Sequence, residues 1–376
     1  ERARRAPVVE ASGMTVATET DPVEALAGRL FLEGVGSLHL LTVYLGVRLG
    51  LYRALAERGS QTSSELARVR GLDPWYVREW LQAETIAGLV TADDEDLERA
   101  RFTLSDGVRE TLVEETHPAY LGGLPVAASA VGGVLPSLVE AFRTGAGVGY
   151  GAYGPEAITA QAALNRPAFV NSLSSEWLAA VPDVLARLRD EANPARVADV
   201  GCGVGWASIE LAKAFQHIRV DGYDADEDSI GIARRNAADH GVLDRVTFEV
   251  VDAKTGGYAG APYDLILFLE CLHDMGRPVE ALAGARAAVA EGGTVIVMDE
   301  RVGDTLPEPG DPTETFFATA SVLWCLPQSR VEPDCQAPGT VMRPATFASI
   351  AKRAGWSGVE VVPIDHPFWR FYRLVA

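Results

Sequence analysis

Val197-Ala198-Asp199-Val200-Gly201-Cys202-Gly203-Val204-Gly205-Trp206 reads as an apolar strand that ends beside an acid, turns through three glycines and enters a helix. Glycine lacks Cβ, so such a turn can take backbone angles closed to other residues and let a ligand lie against bare peptide. Nicotinamide-binding folds use G-x-G-x-x-G to seat a pyrophosphate at the helix start. Here the spacing is G-x-G-x-G, with Asp199 two residues upstream.

Two further acids lie outward from this loop. Asp224 closes the next apolar run, 23 residues after Gly201, where a carboxylate in this topology accepts hydrogen bonds from ribose hydroxyls. Asp252 closes the third run and is placed to accept from an adenine amino group. Ala225 and Ala253 follow the two acids. Any one acid could be a solvated strand end or a helix cap; three at successive strand ends outline an adenosine site that makes no demand for phosphate.

The surrounding pattern is α/β. Short β-branched runs at Arg196–Gly201, Arg219–Tyr223, Val246–Val251, Asp264–Glu270 and Thr294–Met298 alternate with Ala-rich helical stretches, as in a mostly parallel sheet. Val359–Ile364 and Phe368–Val375 flank Asp365-His366 and read as a closing antiparallel hairpin.

On these residues the second half resembles the class I S-adenosylmethionine-dependent methyltransferases, whose sheet is Rossmann-like. The resemblance runs from Arg196 to Ala376. Gly201, Cys202, Gly203 and Gly205 match the family's first motif, Asp224 its ribose acid and Asp252 its adenine contact. It implies S-adenosylmethionine as cofactor, S-adenosylhomocysteine as product and no metal; a catechol-type set of adjacent Asp and Asn ligands is absent from the sequence. The first half resembles the winged-helix dimerisation domain of the small-molecule O-methyltransferase branch. That implies a homodimer through the N-terminal region and a small-molecule acceptor.

The chemistry-bearing segment is Asp264-Leu265-Ile266-Leu267-Phe268-Leu269-Glu270-Cys271-Leu272-His273-Asp274-Met275. Sheets of this class bind ligands beyond the carboxyl ends of their strands. His273, with a side chain that titrates near neutrality, suits a general base toward a hydroxyl. In plant O-methyltransferases a His-Asp-Trp sequence stands nine residues after the strand-opening acid; His273 and Asp274 match it and Met275 departs from it. Asp274 either orients the imidazole or caps the next helix, and His273 could instead only tie the strand to its loop. Glu270 is assigned to the cofactor or the neighbouring loop.

Toward the N-terminus, Thr62–Arg70 and Pro74–Ala87 form two helices joined by Gly71-Leu72-Asp73, followed by an acidic turn and Phe102-Thr103-Leu104. Ser63 or Ser64 would cap the first helix, and Pro74 suits the first position of the second. Helix, helix and β-wing make a winged helix. Leu41 to Glu115 carries nine Arg against fourteen acids. Phosphate contacts need Lys and Arg, so this module reads as a dimerisation unit rather than a DNA reader.

Residues 1–20 read as a disordered extension, 21–118 as the winged-helix domain and 119–193 as a connector. Residues 194–376 read as the cofactor domain, with a lid-like insertion at 301–343. The glycines between Gly122 and Gly154 suggest turns rather than one long helix. Tyr150 and Tyr153 in that stretch supply aromatic surface for a substrate chamber. Trp177 on a helix Phe169–Ala180, and Phe316, Phe317 and Trp324 on a helix Glu314–Leu326, are further candidates, since pockets are lined chiefly by apolar side chains. Core packing explains the same residues equally well.

The chain has 376 residues, 33 Lys plus Arg and 52 Asp plus Glu, for a formal charge of -19. That balance argues against coating nucleic acid, and 48% hydrophobic with 23% charged residues excludes a wholly disordered chain. Cys202, Cys271, Cys325 and Cys335 lack the spacing of a zinc or disulfide framework, which points to a reducing cytoplasm. No run is apolar enough to span a bilayer; the longest candidate, Leu38 to Leu55, is broken by Gly46, Arg48, Gly50 and Arg53.

Overall fold

A computed structural model describes residues 21–258, 260, 262–336 and 338–375. The expected extension at 1–20 lies outside the described residues. Helix α1 (Pro22–Leu49) is capped by Asp21 and ends at Gly50 in the left-handed conformation. Helices α2 (Leu51–Arg58), α3 (Ser63–Arg70) and α4 (Pro74–Ile86) pack with the two-stranded wing β1 (Val90–Ala92) and β2 (Phe102–Leu104) around Leu51, Leu66, Leu81 and Phe102. The α3 cap is Thr62 rather than either serine. Its hydroxyl accepts from Glu65 N–H while the Glu65 side chain accepts from Thr62 N–H, satisfying two donors at once.

After α5 (Val108–Leu112) comes α6 (Gly123–Thr144), a single long helix where the glycines suggested turns. Val126, Ala130, Val134 and Leu138 recur every four residues and are buried along one face; that packing outweighs Gly132 and Gly133. Helix α7 (Pro155–Ala168) packs on α6 and runs without a break into a π-helical stretch, Phe169–Trp177. By length and composition alone α1 and α6 could each cross a membrane, which corrects the expectation that no segment could.

After α8 (Pro182–Leu188), the second half is a seven-stranded sheet in the order β5-β4-β3-β6-β7-β9-β8. Its strands are β3 (Arg196–Val200), β4 (Arg219–Asp224), β5 (Val246–Val250), β6 (Tyr263–Leu269), β7 (Val289–Glu300), β8 (Gly358–Val361) and β9 (Trp369–Val375). The first five are parallel, and β9 pairs antiparallel with both β7 and β8, as the closing hairpin predicted. Helices α9 (Trp206–Ala214), α10 (Glu227–Asp239), α11 (Pro278–Ala288) and α14 (Pro344–Arg353) belong to the two apolar layers that cover the sheet. Between β7 and α14 the chain forms α12 (Pro312–Ala320), a π-helical stretch Ser321–Cys325 and the short α13 (Leu326–Ser329).

Candidate functional site

The carboxyl ends of β3, β4, β5 and β6 open on one cleft of about 390 Å3. The glycine loop forms its floor. Gly201 and Cys202 donate backbone hydrogen bonds to Tyr223 O (2.7 and 3.0 Å), which fastens the loop to β4. Gly201, Gly203 and Gly205 all have positive φ, at 74, 52 and 83°. A Cβ on Gly201 would strike Cys271, and one on Gly205 would strike Phe248; one on Gly203 would meet nothing within 4 Å. Gly203 therefore faces open cleft.

The acids stand where the sequence placed them. Asp224 Oδ2 accepts from Gly203 N–H (2.8 Å) and Oδ1 from Asp226 N–H (2.9 Å), so this carboxylate shapes the loop as well as facing the cleft. Burial pushes its pKa up. Asp199 is buried, accepts from Ser208 Oγ at 2.6 Å, and is pushed up to about 6 by burial. Asp252 accepts from Lys254 N–H (3.1 Å) and pairs with Lys254 Nζ (2.9 Å). Ala225 and Ala253 line the same wall.

The turn after β6 closes the far end. Glu270, Cys271, Asp274 and Met275 line the cleft; His273 does not, being 2% exposed. Its Nδ1 is 3.0 Å from both Asp299 Oδ1 and Glu300 Oε2, and Nε2 is 3.3 Å from Asp274 Oδ1. Only the Asp299 contact has hydrogen-bond geometry; the other two are near enough for attraction but off line. Burial works to lower the His273 pKa, but Glu300, Asp299 and Asp274 together hold it well above the ordinary imidazole value. Where a base facing the cleft was expected, His273 lies buried behind the turn with Nδ1 hydrogen-bonded to Asp299. Asp299 and Glu300 were missed in the sequence, although two acids directly after the apolar run Thr294–Met298 were a legible sign.

His273, Asp299 and Glu300, like His273, Asp274 and Cys325, bring three atoms of metal-ligand type within 4.8 Å of one another, a grouping the sequence did not show. In the first set the Nδ1–H···Oδ1 hydrogen bond and the ion pairs already account for the contacts.

One face of α7 supplies a side wall through Ile158, Gln161, Ala162 and Asn165, none of them foreseen. Tyr150 and Trp324 line the cleft as expected. Tyr153 is one layer back: its ring centroid is 5.0 Å from that of Trp324, and its hydroxyl donates to Leu323 O at 2.8 Å. Three candidates stand elsewhere. Trp177 is buried against Trp369 and Phe371 in one apolar layer of the sheet. Phe316 is exposed and Phe317 buried on α12, neither lining the cleft. Apolar character alone did not tell which way these rings point.

A strap crosses the mouth. Glu332 joins Lys254 Nζ (2.5 Å) to Arg277 Nε (3.1 Å), and Gln336 N–H donates to Gly276 O (2.8 Å).

Residues 192–337 match the family profile of a methyltransferase domain. The chain carries a methyltransferase domain. Residues 37–107 match an Rv2258c-like winged HTH domain, so the methyltransferase domain follows a winged helix as the resemblance implied. Ajmaline N-methyltransferase of Rauvolfia serpentina is 28% identical over 117 residues, covering 31% of this chain and 40% of the relative. The chain spans less than half the length of the curated relatives it matches first. Among solved structures, an O-methyltransferase family protein from Burkholderia thailandensis superposes with a TM-score of 0.67 at 17% identity, covering 95% of this chain and 98% of that one. Human N-acetylserotonin methyltransferase, in complex with S-adenosylmethionine, gives 0.62 at 15% identity over 95% and 99%. The methyltransferase domain and its winged-helix partner therefore share a whole-chain fold with these proteins.

Proposed function

We propose that this protein transfers a methyl group from S-adenosylmethionine to a hydroxyl of an apolar or aromatic small molecule. The observation that carries the reading is that one cleft brings together Asp199, Asp224, Asp252 and the bare Gly203 peptide with Glu270, Asp274, Tyr150 and Trp324. The residues fit the cofactor: Gly203 leaves room where any Cβ would project into the cleft, and no phosphate-binding cation stands there unpaired among the described residues.

Asp224 would take the ribose, Asp252 and Ala253 the adenine, and Asp199 with the glycine loop the methionyl end. When bound, the cofactor supplies an electrophilic methyl on a sulfonium, a cation that suits these acids. Tyr150, Trp324 and the α7 face orient the acceptor and keep water out, and holding both partners in reacting geometry supplies much of the rate. Oxygen as acceptor is favoured by the whole-chain likeness to an O-methyltransferase family protein.

The exposed stripe of Leu26, Leu30, Leu38, Leu41 and Leu45 on α1 supports a homodimer through the N-terminal region. The four unpaired cysteines fit a reducing compartment such as the cytoplasm. DNA reading is disfavoured by α4 itself, whose one arginine is taken up by the Trp75 ring (4.2 Å) and Glu98 (3.2 Å).

The test is calorimetry with S-adenosylmethionine, followed by transfer of an isotopically labelled methyl to a panel of phenols. Asp224→Ala is expected to weaken cofactor binding by about 1.5–3 kcal/mol, the worth of hydrogen bonds to a charged acceptor. Wild-type protein that does not bind the cofactor refutes the reading.

A further inference from the structure

A hydroxyl gives up its proton as it is alkylated, so a group with a free lone pair must face it. His273 does not face the cleft: its Nδ1 is hydrogen-bonded to Asp299 and its Nε2 lies against Asp274. Glu270 does. It lines the cleft beside Gly201, Cys271 and Trp324, and its Oε2 is buried with no hydrogen-bond partner. Burying an acceptor unsatisfied costs about 1–3 kcal/mol, more if charged, so such an atom in a ligand cleft marks a place where a donor arrives.

The backbone tells the same story. Glu270 has φ 57°, one of two described non-glycine residues in the left-handed region. Such strain costs about 1–3 kcal/mol and persists only where neighbours enforce it. The enforcement is visible: Glu270 N–H donates to Met298 O at 2.8 Å, pinning the turn to β7. Asp274, the rival on the same turn, also has a buried oxygen without a hydrogen bond, but that Oδ1 stands 3.3 Å from His273 Nε2 and its backbone is not in the left-handed region.

We propose that Glu270 is the catalytic base, its free Oε2 accepting the proton of the acceptor hydroxyl, with His273 a positioning residue that holds the turn from behind. This rests on the methyl-transfer reading above. The hydroxyl O–H bond breaks toward Oε2 while the oxygen bonds the methyl carbon; the carbon–sulfur bond breaks with its electrons left on sulfur. Cation plus carboxylate become thioether plus carboxylic acid, and the proton then leaves through the cleft mouth to water. The ionisable groups about Glu270 are His273, Asp274 and Cys271 on its own turn, Asp299 and Glu300 from β7, Tyr150 from the connector and Cys325 from the insertion. Burial above all, then Asp274 and Asp299 against the opposing pull of His273, pushes Glu270 up to about 8. A base titrating there is matched to work near neutral pH.

The experiment uses the full chain and the variant Glu270→Gln, which keeps size and removes charge. Infrared difference titration from pH 6 to 10 needs no acceptor. Wild-type protein should show a carboxylic-acid carbonyl band disappearing near pH 8, and the variant should lack it. Calorimetry with S-adenosylhomocysteine should give affinities within about twofold for the two proteins. With phenol and 4-nitrophenol as probe acceptors, phenol turnover should fall by about 100-fold or more in the variant, the usual worth of a general base. Turnover of 4-nitrophenol, already ionised near neutral pH, should fall less than about tenfold.

The proposal is overturned if no carboxyl titrates above pH 6, or if the band survives in Glu270→Gln, which would give it to Asp274. It is overturned equally if the variant loses more than about tenfold in S-adenosylhomocysteine affinity, making Glu270 a cofactor ligand, or keeps its phenol turnover. Where neither phenol is methylated, the infrared arm decides alone. Wild-type protein that fails to bind S-adenosylhomocysteine refutes the methyl-transfer reading itself, a result distinct from all of these.

Discussion

Gly203 and Gly205 sit two residues apart in one loop, both with positive φ, yet alanine should do different damage at each. At Gly205 the new Cβ would stand 2.5 Å from Phe248 Cζ and 3.1 Å from Ala233 Cβ. The Phe248 ring has little room to retreat, because it is buried and already lies close against Gly222, where a Cβ would meet it at 2.5 Å. Left-handed backbone costs alanine about 1–2 kcal/mol, and overpacking a filled core adds about 1–3 kcal/mol. Gly205→Ala should therefore lose about 2–5 kcal/mol of stability. Gly203→Ala bears only the backbone cost, about 1–2 kcal/mol, because its methyl enters open cleft. That methyl would occupy ligand space, so cofactor affinity should fall at least tenfold. Urea unfolding measures the first quantity and calorimetry with S-adenosylhomocysteine the second. Equal stability losses at the two positions, or Gly203→Ala binding as wild type does, would refute the assignment of Gly203 to the cleft.

Two other outcomes follow from the same coordinates. Glu270 is raised in the folded protein to about 8, from near 4.5 unfolded. The folded state thus binds the extra proton between those values, and stability should decline as pH rises through that window, by at most about 1.4 kcal/mol per pH unit; Glu270→Gln should flatten the slope in urea titrations at successive pH values, and an unchanged slope contradicts it. Leu30→Glu with Leu38→Glu places charge in the exposed α1 stripe and should halve the mass seen by light scattering if the proposed dimer forms there; a wild-type mass of one chain, or an unchanged mass in the variant, refutes a dimer through α1.

The strand-end acids were legible because each closes an apolar run, and the rules of a parallel sheet put those ends together. The closing hairpin was legible for a similar reason: Asp365-His366 breaks two apolar runs, and β9 pairs antiparallel with both β8 and β7. What the sequence hid is what depends on distance along the chain. Asp299 and Glu300 reach His273 across 26 and 27 residues, so a histidine with the spacing of a base became an ion-paired one. Trp177 was placed on a helix without its azimuth, and the turn into β9 decided that it faces Phe371. Glycine content was a poor guide at α6, where four-residue apolar spacing prevailed.

The cleft is made of two kinds of material. Its donor half comes from the ends of paired strands, where moving one acid disturbs the hydrogen bonding of its neighbours. In the proposed reading its acceptor half combines the turn after β6 with Tyr150, the face of α7, Trp324, Gln328 and Val331, the last group outside the sheet. Side chains there can be exchanged without changing the register of any strand. A lineage built on this plan can explore new acceptors by drift in two surface-borne segments while its grip on the donor stays inherited. If these residues select the acceptor as proposed, much of that selection is carried by segments that set no strand register.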